Sequence, residues 1–305
     1  MARLVTLERR SSREASGQVR RSATAEIVCA LRAAETLRPP GRRLIDDPHA
    51  RHFLGNGTYR RLTVNRLTAA LSRRGFDRLY PGYMAIVLLR NRWHEAALTR
   101  ALADGVEQVV LLGAGYDTTS LRLRLGLGGG TLFEVDAPPT QQAKREVIRR
   151  HGLPDHAVRY VPCDFERDTL CERLGENGFD RHARSLVAWW GVSFFLSEDA
   201  VRKTMADVAS LTAPGSRFAF DYLDPAVVDG TTAFPGARRA RAAVARRGEP
   251  YRFGLGRAEA GQLLPLFGFE VEKNLSVTEL VQLFGPFPYR TDDFFGVITG
   301  RRVAR

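Results

Sequence analysis

The stretch over residues 108–123 reads QVVLLGAGYDTTSLRL. It opens on a short apolar run, turns on the glycine pair Gly113 and Gly115, and passes after Asp117 into a helical pattern. A buried strand that turns on glycine into a helix is the opening unit of a parallel α/β sheet. Ligands of such sheets sit beyond the carboxyl ends of the strands. Glycine at that turn lets the backbone bend sharply and come close to a ligand.

Two kinds of cofactor fit such a turn. The dinucleotide fingerprint is G-x-G-x-x-G, with the diphosphate on the following helix N-terminus. Here Thr118 stands where the third glycine belongs, and Asp117 sits at the helix start as a natural N-cap. A carboxylate there repels a diphosphate and competes for the same amides. S-adenosyl-L-methionine has no phosphate, and it carries an amino group and a sulfonium, so the acidic turn favours it. Asp136 ends the next apolar run (LFEVD), about 20 residues on, where an acid commonly binds ribose hydroxyls. A helix N-cap before Pro138 and Pro139 explains Asp136 equally well. Its neighbour Glu134 is expected to point elsewhere by strand alternation. Asp164 follows a third run (YVPCDF), placed to accept from an adenine amino group with Phe165 against the ring; it too reads as an N-cap. Acids at the ends of three successive strands are harder to explain as coincidence than any one alone.

Outward from the turn, the periodicity predicts strands over 109–112, 132–135, 159–162, 185–188 and 216–220. Helices fall between them, near 117–124, 138–151, 166–176 and 198–211. Short buried strands alternating with helices imply right-handed parallel crossovers. A helix over 257–267 and strands over 270–278 and 294–299, linked by PFPYRTDD, suggest an antiparallel hairpin at the sheet edge. The fold class is therefore α/β, a doubly wound, Rossmann-like, seven-stranded mostly parallel sheet with a C-terminal antiparallel hairpin. Before it, 22–37 and 90–104 carry helical spacing and 58–89 mixed helical signals, so 19–104 reads as a helical cap and entry helix. Residues 105–305 form the core, with an acceptor-side insertion at about 223–255, rich in Pro, Gly and Arg. Residues 1–18 are polar and charged and read as a disordered tail.

The 305 residues are 44% hydrophobic and 26% charged, ordinary for a soluble globular chain. No run is long enough to span a membrane, and the basic N-terminus lacks the apolar core of a secretory signal, so a cytoplasmic location and no membrane partner are expected. Cys29, Cys163 and Cys171 form no CxxC pair and have no His cluster beside them, which argues against zinc and disulfides; no metal is expected. The net charge of +12 raises nucleic acid as a partner. The excess is mostly arginine and is dispersed along the chain, which favours a solvated surface over a phosphate groove.

The segments SATAEIVCALRAAE, LIDDPHARHFL, RNRWHEAALTRALADGVEQVVLLGAGYDTTSLRL, FEVDAPPTQQAKREVI, YVPCDF, WWGVSFFLSEDAV and PGSRFAFDY run from about Ser22 to Tyr222. Together they resemble the leucine carboxyl methyltransferase-like family of class I S-adenosyl-L-methionine-dependent methyltransferases, in its bacterial branch. The resemblance implies a seven-stranded sheet with an N-terminal helical cap and S-adenosyl-L-methionine as cofactor. It implies that Arg92 pairs with the methionine carboxylate, although by itself Arg92 reads as a surface ion pair. It implies a backbone contact at Gly113 in the Gly113–Gly115 turn, a ribose contact at Asp136 and an adenine-side pair at Asp164 and Phe165. Where the family usually carries a glutamate before Gly191, this chain has Trp190. An indole packs on a cofactor and attracts a sulfonium through its π face, but cannot accept the same hydrogen bonds. Trp189, beside it, reads as core.

Methyl transfer from a sulfonium is an in-line displacement, and a carboxylate acceptor needs no base, whereas a hydroxyl does. Asp221 and Tyr222, at the end of the fifth strand, are the leading base candidates, with His94 behind them. The arginines of GARRARAAVARRG (236–248) either cover an acidic acceptor or form a solvated helix face. The reading is a small-molecule O-methyltransferase of secondary metabolism, acting on a hydroxyl or a carboxylate. The alternatives are a nucleic-acid-binding or RNA methyltransferase protein on the same core, and a methyltransferase-like binding protein that lost catalysis.

Overall fold

Five apolar runs pair in parallel and a sixth and seventh close one edge antiparallel, giving the strand order β3-β2-β1-β4-β5-β7-β6. The computed structural model describes residues 22–55, 57–122, 130–154 and 158–304. The expected tail at 1–18 and the end of the helix expected at 117–124 lie outside them. The strands are β1 (Gln108–Leu112), β2 (Thr131–Asp136), β3 (Val158–Pro162), β4 (Ser185–Trp189), β5 (Arg217–Leu223), β6 (Phe269–Ser276) and β7 (Phe295–Arg302). Central strands β1, β4 and β5 are buried along their whole length, while β3 and β6 at the edges are half-exposed. Burial on both faces explains why the central strands read as continuous apolar runs without polar alternation.

Side-chain alternation sorts the sheet into two faces. On one, Val109, Leu111, Leu186 and Ala188 meet Leu98 and Ala101 of α4 (Tyr83–Ala103). On the other, Val110, Leu112, Val187 and Trp189 meet α8 (Glu198–Leu211) through Val201, Met205 and Val208. The same face is covered by α7 (Leu170–Glu176) and α11 (Arg257–Leu266). Helix α4 begins at Tyr83, before the expected 90, because Met84–Leu89 is buried and continues the same helix.

The cap is built from α1 (Ala23–Thr36), α2 (Gly57–Leu62) and α3 (Arg66–Leu79), with short 3₁₀ turns at Pro40–Arg42 and Ala50–Phe53. Ser22 caps α1 by accepting from the Ala25 amide. A short α5 (Thr119–Arg122) follows the glycine turn, and α6 (Pro138–His151) starts with two prolines in its first turn and ends on Gly152. The 223–255 segment builds α9 (Pro225–Asp229) and α10 (Pro235–Arg246).

The closing hairpin differs from expectation. Its strands pair antiparallel, but the link contains α12 (Val277–Phe284), and β6 stops at Ser276 before the expected 278. Ser276 and Glu279 form a capping box, an S-x-x-E signature that stops the strand and starts the helix.

Candidate active site

At the carboxyl ends of β1 to β4 lies a cavity of about 580 Å³, lidded by the start of α1 and by residues 248–252 after α10. Gly113 and Gly115 form its floor with φ of 65° and 48°. A Cβ at Gly113 would stand 2.1 Å from Val192 Cγ2, so this position is closed to any larger residue. The Gly113 and Ala114 amides donate to the Val135 carbonyl, which ties the turn to β2. The Gly115 amide donates to Asp136 Oδ2, and the Ala137 amide donates to Asp136 Oδ1 at 2.7 Å.

Asp136 thus holds the turn and does not cap α6, whose N-cap is Ala137. A carboxylate offers about four lone-pair sites. Two amides take two of them, leaving the others toward the cavity that Asp136 lines. Burial raises the Asp136 carboxyl above its ordinary value, against the pull of the Gly115 and Ala137 amides. Glu134 lies on the same face of β2 as Asp136, because two residues restore a strand's side. Depth and pairing, not alternation, remove it: it is buried against Lys144 Nζ at 2.5 Å.

Asp117 lines the cavity and accepts from the Thr119 amide at 2.7 Å, so it caps the short α5 turn. Burial works against its carboxylate, but His94, Lys144, Arg32 and Arg122 outweigh this and hold its pKa down to about 2. The turn therefore carries a fixed negative charge where a dinucleotide would need to seat its diphosphate. Asp164 and Phe165 also line the cavity. Asp164 is half-exposed at the mouth and accepts from the Glu166 amide, and Phe165 is buried against Trp189.

Three expected site residues stand elsewhere. Arg92 is not on the cavity wall; its guanidinium lies 5.0 Å over the Phe284 ring, toward α12. Two steps along a helix turn a side chain by about 200°, so Arg92 faces away from the wall that Arg90 and His94 share. Tyr222 points into the core on the opposite sheet face, and its hydroxyl donates to Asn274 Oδ1 at 2.6 Å. Asp221 is fully buried behind the wall and committed, accepting from Arg90 Nη1 at 2.8 Å and from the Gly191 amide at 2.7 Å. Burial raises its carboxyl, opposed by Arg90. Asp221 anchors Arg90 and the Gly191 turn; neither it nor Tyr222 reaches the cavity as a base.

His94 and Trp190 both line the cavity and hold each other. The Trp190 indole Nε1–H donates to His94 Nδ1 at 3.0 Å. An indole only donates, so Nδ1 is unprotonated and Nε2 carries the hydrogen, facing Thr119 Oγ1 at 3.3 Å. Burial holds the imidazole below its ordinary value, so this neutral form is the stable one. Trp189, one residue earlier on β4, is wholly core, as expected.

Three cations not expected from the sequence line the cavity: Arg32, Arg90 and, on the lid, Arg252, which pairs with Glu166 at 2.7 Å. Arg32 on α1 donates to the Tyr116 carbonyl at 2.6 Å and to Asp47 Oδ2 at 2.9 Å. Arg90 lies beneath Gly191, whose absent side chain makes room for it. A signal for Arg90 was present: it is four residues before His94, hence on the same helix face. Nothing local marks Arg32, whose partner Asp47 belongs to another segment. Among the described residues no group of three metal-ligating side chains exists.

The family model described as leucine carboxyl methyltransferase matches residues 25–209. A Mycolicibacterium paratuberculosis protein, named provisionally as an S-adenosyl-L-methionine-dependent methyltransferase, is 34% identical over 214 residues, covering 68% of this chain and 65% of its own. A similarly named Mycolicibacterium smegmatis protein is 37% identical over 141 residues, covering 46% of this chain and 47% of its own. The chain thus spans less than two thirds of either relative. Among solved structures, a DUF574 family protein from Streptomyces avermitilis aligns with TM-score 0.55 at 13% identity, over 78% of this chain and 92% of its own. A protein from Thermobifida fusca, described provisionally as a methyltransferase, aligns with TM-score 0.53 at 16% identity, over 90% and 94%. At such identities these two speak for the fold.

Proposed function

The chain belongs to the leucine carboxyl methyltransferase family, and from that premise we propose that it transfers a methyl group to an oxygen of a small molecule, in secondary metabolism. S-adenosyl-L-methionine is the cofactor that membership brings. The charge pattern of the cavity carries the reading: Arg32, Arg90 and Arg252 and the carboxylates of Asp117, Asp136, Asp164 and Glu249 line it around a glycine turn, and Asp117 stands where a diphosphate would sit.

That donor set fits the cofactor. Arg32 and Arg90, each paired to a buried carboxylate but with guanidinium N–H groups to spare, and Arg252 on the lid are the cations that line the cavity for a methionine carboxylate, and Asp117 is the carboxylate for an amino group. Asp136 has free lone pairs for ribose hydroxyls, and Asp164 with Phe165 offers an edge acceptor and a flat apolar wall for adenine. When bound, the cofactor supplies an electrophilic methyl on a sulfonium. The chain's part is alignment and exclusion of water, an effect worth roughly 7–11 kcal/mol in well-oriented reactions. Trp190, Val192, Phe195 and Leu196 form the apolar wall for that purpose. His94 orients the indole and spends its free nitrogen doing so.

With Asp221 and Tyr222 committed and His94 Nδ1 occupied, the acceptor most in keeping is an oxygen already negative, a carboxylate or an acidic hydroxyl. Glu249, on the lid, accepts from the Thr24 amide at 3.1 Å and closes the lid over α1. Calorimetry tests the cofactor: S-adenosyl-L-methionine binds and NAD does not. Asp136→Ala weakens binding roughly 10–100-fold, the scale of a hydrogen bond to a charged group. Binding of NAD in place of S-adenosyl-L-methionine would sink the reading. Methyl transfer from labelled cofactor to a panel of carboxylic acids and phenols then tests the acceptor class.

A further inference from the structure

Among the described residues, eight large aliphatic side chains are exposed, and five fall between Leu62 and Leu79. They are Leu62 at 36%, Val64 at 69%, Leu67 at 70%, Leu71 at 59% and Leu79 at 51%. Helix α3 explains the clustering. Asn65 caps its start by accepting from the Leu67 and Thr68 amides. Ala69, Arg73 and Phe76 face inward, and Arg73 pairs with Glu35 on α1. Leu67, Leu71, Arg74 and Arg78 recur at helical spacing on the opposite side, so they form one outward stripe.

The charge of this stretch is as one-sided as its polarity. Residues 57–80 hold six arginines and a single acid, Asp77, which accepts from the Arg290 amide. Arg61, Arg66, Arg74 and Arg78 are exposed. An amphipathic helix with leucines and arginines on its outer face matches an interface that is apolar beneath and anionic above. Leucines enter the acyl boundary while arginine stems snorkel to phosphates.

We propose that the α2–α3 face docks on an anionic lipid bilayer surface. Two other occupants fit less well. A second copy in a twofold contact would bring the same arginine cluster against itself. Nucleic acid would meet the arginines but leave five aliphatic side chains without a use, and the aromatics of this stretch, Tyr59, Phe76 and Tyr80, are only half-exposed. The face lies one helix from the cavity: α3 packs on α1, whose residues Ser22, Thr24, Ala25 and Val28 line the lid. The proposal does not depend on the methyltransferase reading.

Co-sedimentation of the full chain with phosphatidylcholine vesicles, with and without phosphatidylglycerol, tests it. The chain is expected to pellet with the anionic vesicles, less at high salt, and to ignore the neutral ones. Leu67→Ser with Leu71→Ser leaves the net charge unchanged and is expected to weaken binding at least tenfold. Arg74→Glu with Arg78→Glu is expected to do the same by the other route. Each variant should keep the wild-type melting temperature and cofactor affinity, since these side chains are exposed. The proposal is overturned if the wild type fails to pellet, or if the leucine variant binds as the wild type does. It is equally overturned if sedimentation velocity shows a dimer, or titration shows RNA binding, that the leucine substitutions abolish while vesicle binding persists.

Discussion

Arg90 and Arg92 stand two positions apart in RNR, and the helix turns them to opposite sides. Arg90 is buried on the cavity wall with Asp221, whereas Arg92 lies over Phe284. Removing one partner of a buried ion pair strands the other charge, at a cost of about 3–5 kcal/mol. Arg90→Ala is therefore expected to lower the melting temperature and abolish cofactor binding in calorimetry, and Arg92→Ala to leave affinity within about twofold. The reverse order would return the carboxylate contact to Arg92. Trp190 and His94 form the other residue-scale pair. Trp190→Phe keeps an aromatic wall but orphans His94 Nδ1, an unmade buried hydrogen bond of about 1–3 kcal/mol. A thermal melt and a cofactor titration check it; identical values to wild type would show that the bond orients nothing.

At the scale of the element, the β1–α5 turn joins sequence to site. Gly113 is closed on two counts, a left-handed φ and a Cβ that would strike Val192, while Gly115 shares the left-handed φ but would make only ordinary contacts, with Ala25 Cβ at 3.7 Å and the Gly113 carbonyl oxygen at 3.8 Å. Left-handed backbone costs a residue with a Cβ roughly 1–2 kcal/mol. A forced clash adds typically about 1–3 kcal/mol. Gly113→Ala should then destabilise more than Gly115→Ala and should displace Val192 from the wall. Denaturant unfolding of the two variants checks the order, and equal losses would mean that the wall yields freely. The α12 capping box shows the same logic at the other end of the chain, where one S-x-x-E outweighs a run of strand-like residues.

For the whole molecule, His94 and His52 are the histidines held below the ordinary value, and His94 is the fully buried one. Burial keeps its imidazole below the ordinary value of 6.5, so in acid the unfolded chain takes a proton that the folded chain refuses. The unfolded state binds more protons in that window, so the His94 contribution to stability is complete above about 6.5 and is lost as the pH drops below it. Asp117 and Glu95 favour the proton while Arg90 and Arg122 oppose it, and burial dominates. Melting temperatures followed from neutral to acid pH should fall more steeply below 6.5 in the wild type than in His94→Gln. Parallel curves would show that His94 carries none of the acid sensitivity.

Much of this molecule was written locally. Apolar runs near 109–112, 132–135 and 185–188 announce buried strands because a strand's burial depends on its own side chains. Gly113, Asp117 and Asp136 mark the cavity end of the sheet because a turn, a cap and a strand terminus are each set within a few residues. What the chain could not declare by itself depends on partners distant in sequence. Arg32 joins the site through Asp47 and Tyr116, and Asp221 leaves it because Arg90 and Gly191 claim both its oxygens. Tyr222 is withdrawn by Asn274 on β6, and Trp190 acquires its orientation from His94 on α4. The sheet, the glycine turn and the carboxylates beside it follow from local sequence, because backbone preference and burial act locally. Which charges are free and which are spent comes from long-range packing, because a buried charge must find its partner wherever the fold brings one.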